Sequence, residues 1–104
     1  MQRLAFKMKL LPGCEKEYEK RHDEIWPELR VLLKSKGISK YSIYLDEETR
    51  DLFAVLELPS REMLDELPAD AIMRKWWDYM SDIMETNADR SPVTIPLRQV
   101  FFLP

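Results

Sequence analysis

The sequence of 104 residues contains one cysteine, one histidine and two glycines, and basic residues are not in excess. A single cysteine cannot form an internal disulfide, and one Cys with one His is too few ligands for a zinc site. With 16 Lys and Arg against 19 Asp and Glu, the net charge is −3, so the basic footprint expected of a nucleic-acid-binding protein is missing. No apolar run is long enough to span a bilayer. A phosphate-binding glycine loop, a nucleophile elbow and an HExxH motif are also absent.

Hydrophobic residues make up 45% of the chain and aromatic residues 11%, which favours a folded core over disorder. The length predicts one domain over residues 1–104. The N-terminus leads directly into a strand-like pattern without an apolar signal segment. We therefore expect a soluble cytoplasmic protein with no membrane or nucleic-acid partner.

Apolar residues alternate along residues 2–10, with the period of two that is typical of a half-buried strand. One face carries Leu4, Phe6, Met8 and Leu10, and Pro12-Gly13 ends the pattern. Similar patterns predict a hairpin of two further strands, and the apolar C-terminus predicts a fourth. These strands are expected at Tyr41–Leu45, Leu52–Leu58 and Leu97–Leu103.

Helical spacing follows the first strand. The segment that begins at Cys14 is highly charged, and Tyr18 and His22 share one face of the predicted helix. Pro27 cannot continue that helix, so the sequence predicts a break over Asp23–Trp26 and a new helix that begins at Pro27. The second helix is expected to stop at Gly37.

The second half of the chain has two more helical segments. A short helix through Leu67 is predicted with Ser60 as its N-cap. Residues 70–85 have strong helical spacing, and Asn87–Pro96, with two prolines, is expected to cross the fold in an extended conformation.

The predicted order β-α-β-β-α-β is the ferredoxin-like arrangement, an α+β fold in which an antiparallel sheet carries helices on one face. The other face of the sheet needs cover in a chain this short and aromatic. We therefore expect a homodimer of the dimeric α/β-barrel type, with sheet packed on sheet or a shared terminal strand.

His22 is the only side chain whose ordinary pKa lies near neutrality. Tyr18 lies one turn earlier on the same face, and the break before Pro27 leaves room for a pocket. A tyrosine and a histidine together offer hydrogen bonding and proton transfer without a metal. A lone histidine on a helix is more often a surface or structural residue, so both interpretations stay open.

Aromatic residues elsewhere have two interpretations as well. Trp76 and Trp77 point about 100° apart on a helix, so both cannot enter one core. Either one is buried and the other half-exposed, or an indole face serves as a platform for a sugar. Tyr41 and Tyr44 lie on opposite faces of the second predicted strand, where aromatic residues are common for structural reasons. Cys14 is interpreted as structural because it has no partner thiol.

Six segments spread along the chain have a more specific pattern. They are Tyr18-Glu19-Lys20-Arg21-His22, Ile25-Trp26-Pro27-Glu28-Leu29, Tyr41-Ser42-Ile43-Tyr44-Leu45-Asp46, Trp76-Trp77-Asp78-Tyr79-Met80, Ser91-Pro92-Val93 and Phe101-Phe102-Leu103-Pro104. Together they resemble the L-rhamnose mutarotase family, and the resemblance extends from end to end of the chain. It implies a dimeric, ferredoxin-like enzyme that interconverts the α and β anomers of L-rhamnose. By the same resemblance His22 is the proton donor, and the sugar-binding positions are Tyr18, Tyr41, Trp76 and Trp77.

Anomer exchange suits these residue types. Ring opening removes the proton of the anomeric hydroxyl and delivers a proton to the ring oxygen, and it needs no cofactor, metal or covalent adduct. A group with a pKa near the working pH is best suited, and that of an ordinary histidine is about 6.5. Our hypothesis is that His22 donates to the ring oxygen. The second proton carrier is left open among Tyr18, Tyr41, a carboxylate and water, with water or a tyrosine preferred.

Two other classes of protein share the predicted fold. One is a dimeric α+β-barrel monooxygenase of the haem-degrading type, and the other is a non-catalytic sugar-binding module. The fold by itself does not choose among them.

Overall fold

The computed structural model, which describes residues 1–104, contains four strands and four helices. In chain order they are β1 (Gln2–Lys9), α1 (Glu15–Asp23), α2 (Pro27–Ser35), β2 (Ser39–Leu45), β3 (Asp51–Leu58), α3 (Glu62–Glu66), a 3₁₀ turn (Leu67–Ala69), α4 (Ala71–Met80) and β4 (Ile95–Leu97). The longest helix, α4, has 10 residues, and no helix has both the length and the apolar character needed to cross a membrane.

The four strands form one antiparallel sheet in the order β2-β3-β1-β4. This order confirms the predicted ferredoxin-like α+β arrangement. The alternation along β3 is regular, because each buried residue is preceded by a half-exposed one. The buried face of β3 consists of Leu52, Ala54, Leu56 and Leu58.

The 15 buried residues of the chain form one apolar cluster. Strands β1 and β3 contribute one side of it, and α2 and α4 contribute the other. None of the buried residues is polar or charged. The sheet and the helices therefore enclose a single dry core, and the alternation that the sequence shows on the first strand is explained by Met8 facing this core.

The predicted break between the first two helices is confirmed. Helix α1 ends at Asp23, and α2 begins at Pro27. Trp26 has the extended conformation (φ −60°, ψ 132°) that the clash with a following proline ring imposes. The chain therefore bends immediately after His22, and Gly37 (φ 78°) follows the end of α2.

The predicted terminal strand at Leu97–Leu103 is wrong. Strand β4 has three residues, Ile95–Leu97, which pair with Ala5–Lys7 of β1. Residues 98–104 form no regular element and are exposed. Their apolar and aromatic composition favours a strand, but a strand also needs a neighbouring backbone, and no strand of this chain continues beside them.

Helix α4 is shorter than the predicted span of residues 70–85. Asp70 is its N-cap, and the Asp70 carboxylate accepts a hydrogen bond of 2.8 Å from the Ile72 N–H. The helix ends at Met80, and after the following turn Met84 forms a bridge with Leu10, next to the end of β1. The apolar spacing continues past the helix end because Met84 is still buried in the core.

Two further local predictions need correction. The short third helix begins after Arg61 rather than at a Ser60 N-cap, although the Ser60 hydroxyl accepts a hydrogen bond from the Glu62 N–H at 3.3 Å. The segment Asn87–Pro96 is not extended throughout. A tight turn forms where the Asn87 N–H donates to the Ser91 carbonyl at 2.8 Å. Asn and Ser side chains support such turns by local hydrogen bonds.

Candidate active site

A cleft of about 1400 Å³ is lined by α1, α4 and residues of the sheet. It is larger than the roughly 300–1,000 Å³ of most ligand pockets, so a single sugar would occupy only part of it. All five of the residues predicted as site residues line it: Tyr18, His22, Tyr41, Trp76 and Trp77. The structure therefore brings together residues from three separate elements.

His22 is held by its own helix. Its Nδ1 lies 3.0 Å from the carbonyl oxygen of Tyr18, one turn earlier on α1. A carbonyl can only accept, so Nδ1 carries the hydrogen and Nε2 is the nitrogen left for a ligand. The two side chains also stack, with 4.3 Å between ring centroids and 34° between ring planes.

Burial lowers the pKa of His22 below its ordinary value of about 6.5, because the charged imidazolium is poorly solvated in the cleft. The hydrogen bond to the Tyr18 carbonyl and the charge of Asp23 oppose this effect without cancelling it. At neutral pH the ring is therefore mostly neutral, and the lone pair on Nε2 can accept a proton.

Trp76 and Trp77 on α4 have different environments. Trp76 is buried in the core with 6% of its surface exposed, and its ring meets His22 edge to face at 5.5 Å and 90°. Trp77 is half-buried and lines the cleft. Adjacent residues of a helix point about 100° apart, which explains why the two side chains differ. Trp76 supports the His22 ring, and Trp77 presents its indole face to a ligand in the cleft.

A β-bulge in β2 positions Tyr41. Between Ser39 and Ser42 the strand has one residue more than the opposing stretch from Glu57 to Val55 of β3. Lys40 takes up the extra residue in a left-handed conformation (φ 49°). Bulges of this kind redirect side chains next to functional sites.

The two tyrosine hydroxyls are kept protonated by their surroundings. Tyr41 retains 39% of its surface exposed, but removal of its hydroxyl from water raises its pKa to about 12. Burial also raises the pKa of Tyr18 well above its usual range, and the neighbouring Tyr41 contributes to that rise. Both hydroxyls are therefore hydrogen-bond donors at neutral pH.

The aromatic residues behind His22 were not predicted from the sequence. Trp26 packs edge to face on Trp76 at 5.1 Å and stacks on Tyr79 at 5.5 Å, while Tyr79 also contacts Trp76 at 5.8 Å. Arg21 lies 4.1 Å from the centre of the Tyr79 ring. Arg21, Trp26 and Tyr79 stand in segments that carry the family resemblance, but the sequence does not reveal these long-range contacts.

Three other side chains near His22 along the chain are a thiol and two carboxylates, and only Asp23 lines the cleft. Cys14 is a free thiol at the start of α1, with its Sγ 3.7 Å from the Pro12 carbonyl. Of the two carboxylates after His22, Asp23 lines the cleft and Glu24 does not line the same cleft. No three His, Cys, Asp or Glu side chains gather into a group that could hold a metal ion.

Comparison with known proteins identifies the family. The family model described as L-rhamnose mutarotase matches residues 3–103. The chain belongs to the L-rhamnose mutarotase family. Relatives named L-rhamnose mutarotase include one from Formosa agariphila, 52% identical over 103 residues, and one from Sinorhizobium fredii, 55% identical over 103 residues. In both comparisons the match covers 99% of this chain and 99% of the relative.

Solved structures support the same assignment. The crystal structure of an L-rhamnose mutarotase from Formosa agariphila matches with a TM-score of 0.94 at 50% identity, over 100% of both chains. An antibiotic biosynthesis monooxygenase matches with a TM-score of 0.52 at 14% identity, over 96% of this chain and 99% of that chain. The second likeness extends only to the fold, which members of the L-rhamnose mutarotase family share with proteins of other activities.

Proposed function

We propose that this member of the L-rhamnose mutarotase family interconverts the α and β anomers of L-rhamnose by cofactor-free acid–base chemistry at His22. The observation that carries the proposal is the state of the His22 ring. Its Nδ1 is committed to the Tyr18 carbonyl at 3.0 Å, which leaves Nε2 as the exchangeable nitrogen of a residue that lines the cleft. One nitrogen that both accepts and donates a proton suits a reaction that only moves protons around a hemiacetal.

In the proposed reaction, neutral His22 accepts the proton of the anomeric hydroxyl at Nε2. The C1–O5 bond breaks as the C1=O1 bond forms, and the imidazolium then delivers its proton to the ring oxygen. Rotation about C1–C2 and the reverse sequence close the ring as the other anomer, so no atom or charge is gained or lost. The lowered pKa of His22 assists the donation, because a poorly solvated imidazolium is a stronger acid.

Tyr18 and Tyr41 are proposed to hold the sugar rather than to act as bases. Their raised pKa values make deprotonation unfavourable at neutral pH, whereas a protonated phenol donates a hydrogen bond to a sugar oxygen. This leaves His22 itself or water as the acceptor of the anomeric proton. Trp77, half-buried on the cleft wall, offers an indole face to the apolar side of the sugar.

One-dimensional NMR saturation transfer between the two rhamnose anomers measures the exchange directly. We expect the wild-type protein to accelerate exchange, and we expect His22→Ala and His22→Gln to lose about 10²–10⁴ of the acceleration. His22→Gln keeps a polar side chain of similar reach that does not titrate. A folded His22→Ala variant with full exchange activity would remove His22 from the mechanism.

Tyr41→Phe and Tyr44→Phe form a matched pair for the tyrosine role. Tyr44 also borders the cleft, but its ring lies on the opposite face of β2, opposite Phe53 of β3, and 65% of its surface is exposed. We expect Tyr41→Phe to raise KM several-fold, since a single lost hydrogen bond to a ligand is worth about 0.5–1.5 kcal/mol. Tyr44→Phe should change KM less, because the more exposed Tyr44 hydroxyl stays in contact with water. Equal effects of the two substitutions would contradict a sugar-binding role for Tyr41.

The same assay separates the two alternative functions. A non-catalytic sugar-binding module would bind rhamnose without accelerating exchange. A haem-degrading monooxygenase would shift the Soret band in a haem titration, which we do not expect here. The likeness to a monooxygenase at 14% identity supports the shared fold and no more.

We further propose that the functional unit is a homodimer. Several large apolar side chains are left exposed on β4, on β2 and in the C-terminal tail, including Phe101 at 77% and Tyr44 at 65%. Phe102 lies beside the sheet face opposite the helices, with its ring centre 4.2 Å from the Arg3 guanidinium. Apolar groups exposed in this number mark an association surface. Light scattering should give twice the monomer mass, and the double substitution Phe101→Glu, Leu103→Glu should shift it toward the monomer.

Residues 1–104 are proposed to fold as one domain that works in the cytoplasm. The single core cluster supports one domain, and one cooperative unfolding transition is expected in urea. The free Cys14 thiol is compatible with a reducing compartment. Fractionation of the source cells tests the location.

A further inference from the structure

Helix α1, which carries His22, has little apolar anchoring. Of its nine residues, EKEYEKRHD, only Tyr18 is buried, and most of the others are charged. Burial of an apolar face is what normally fixes a short helix on its domain. Another kind of contact must therefore hold the C-terminal end of α1 in place, next to the helix break.

Arg21 makes that contact. Its side chain is 9% exposed and reaches from α1 to the end of α4. Nη1 donates to the Tyr79 carbonyl at 2.7 Å and to Asp82 Oδ1 at 2.9 Å, Nη2 donates to Asp82 Oδ2 at 3.3 Å, and Nε donates to Glu17 at 2.7 Å. The Tyr79 carbonyl belongs to the last turn of α4, where carbonyls lack helical partners and cations are favoured.

The same guanidinium is linked to His22 on two sides. Along the chain it is the preceding residue. Through space it lies over the Tyr79 ring, and the Tyr79 ring contacts Trp76. Trp76 in turn packs against the His22 ring, with 5.5 Å between ring centroids. Movement of Arg21 would therefore change both the helix that carries His22 and the wall against which its ring rests.

We propose that Arg21 is a positioning residue for the reaction: by clamping α1 to the end of α4, it sets the place of the His22 ring against Trp76. The proposal rests on His22 being the proton carrier of the proposed function. The planar fork of arginine is suited to this task because it binds the carboxylate of Asp82 and the carbonyl of Tyr79 at once. The lysine ammonium group is a point charge, so a lysine at this position can form only some of the hydrogen bonds that Arg21 forms.

The test compares Arg21→Ala and Arg21→Lys with Arg90→Ala. Arg90 also pairs with a carboxylate of α4, Asp78 at 2.9 Å, but its side chain is 60% exposed and contacts none of the site residues. We expect Arg21→Ala to lower the saturated exchange rate about 10- to 100-fold, the size of loss that a displaced catalytic group produces. KM should change little, Arg21→Lys should recover part of the rate, and Arg90→Ala should stay within twofold of wild type.

A second measurement does not depend on activity. The chain has one histidine, so the C2 proton of His22 gives a single NMR resonance that reports the ring current of Tyr18 and Trp76. In folded Arg21→Ala we expect this resonance to move and its titration midpoint to rise toward the ordinary 6.5. Failure of the proposed function would appear as an inactive wild type, while this resonance would still test the clamp.

If Arg21→Ala does not fold, Asp82→Asn provides the same test. It removes the charge of one of the two carboxylate partners and leaves the Arg21 contacts to Glu17 and Tyr79 in place. We expect a rate loss of about threefold and a smaller displacement of the His22 resonance in the same direction, because one of several contacts is weakened. An unchanged resonance and midpoint in a folded variant, with an exchange rate equal to that of Arg90→Ala, would overturn the proposal.

Discussion

Helices α1 and α4 both line the cleft, but they are fixed in different ways. Helix α4 buries Met73, Trp76 and Met80 in the core. Helix α1 buries one residue, Tyr18, and its end is held by the hydrogen bonds of Arg21. The residue that is proposed to move protons lies on the helix held by polar contacts, and the residue that supports its ring lies on the helix held by burial.

This difference between the helices predicts which substitutions should lower the free energy of unfolding and which should lower the rate of anomer exchange. Apolar burial is worth several kcal/mol per large side chain, whereas a hydrogen bond contributes a net of about 0.5–1.5 kcal/mol but depends strongly on direction. Truncations on α4 should therefore lower the free energy of unfolding. Truncations in the Arg21 contacts should act mainly on the position of His22.

The largest effect on stability is expected for Met80→Ala. Met80 is 2% exposed at the end of α4, so its truncation leaves a cavity and should cost about 2–5 kcal/mol of unfolding free energy. Urea unfolding monitored by tryptophan fluorescence measures this. Val31→Ala on the exposed side of α2 is the control, with a change within about 0.5 kcal/mol. A cost for Met80→Ala as small as the control would contradict the view that burial fixes α4.

A change of pH is expected to have a smaller effect on the free energy of unfolding, through the protonation of His22. The pKa of His22 is lowered in the folded state by burial against Tyr18 and Trp76, so unfolded chains bind the proton more tightly. The contribution of His22 to stability is therefore fully present above its unfolded pKa of about 6.5 and is lost as the pH falls through the folded pKa.

The acid limb of the exchange rate should follow the same folded pKa and lie below pH 6.5. Titration of the single His22 C2 proton resonance measures the midpoint in the native protein, and the same titration in concentrated urea supplies the unfolded reference. A native midpoint at or above the unfolded one would show that burial does not govern this ring.

The smallest effect is expected for Arg90→Ala. Its ion pair with Asp78 has the same 2.9 Å separation as the pair of Arg21 with Asp82, but both Arg90 and Asp78 are well exposed. Surface pairs of this kind contribute about 0–1 kcal/mol, so the unfolding free energy and its salt dependence should hardly change. A loss of unfolding free energy well above about 1 kcal/mol would contradict the view that this exposed pair contributes little.

Local signals predicted much of the fold. Pro27 fixed the boundary between α1 and α2, because a proline acts through its own ring and the residue before it. The alternation in β1 identified the face of that strand that carries the buried Met8. The prediction of a C-terminal strand was wrong because it depended on a distant contact. The run around Phe101 and Phe102 has the composition of a strand, but a strand needs a partner that the local sequence does not reveal.

Some residues of the candidate site could be predicted from the sequence, and the contacts that hold them could not. Tyr18 and His22 lie one helical turn apart, so their proximity followed from spacing, and the resemblance to the family added Tyr41, Trp76 and Trp77. The contacts of Arg21 with Tyr79 and Asp82 join positions about 60 residues apart in the chain. In a helix with this many charges, nothing local distinguishes Arg21, whose side chain is 9% exposed in the folded protein, from its solvated neighbours.

The sequence by itself determined the helix break beside His22, the amphipathic faces and the residue types available for proton transfer, because these depend on neighbours a few residues away. Only the tertiary structure decided which imidazole nitrogen is free, how the bulge at Lys40 turns Tyr41 toward the cleft, and which arginine clamps the two helices. Those features depend on burial and on hydrogen bonds between distant segments, and such contacts exist only once the chain has folded.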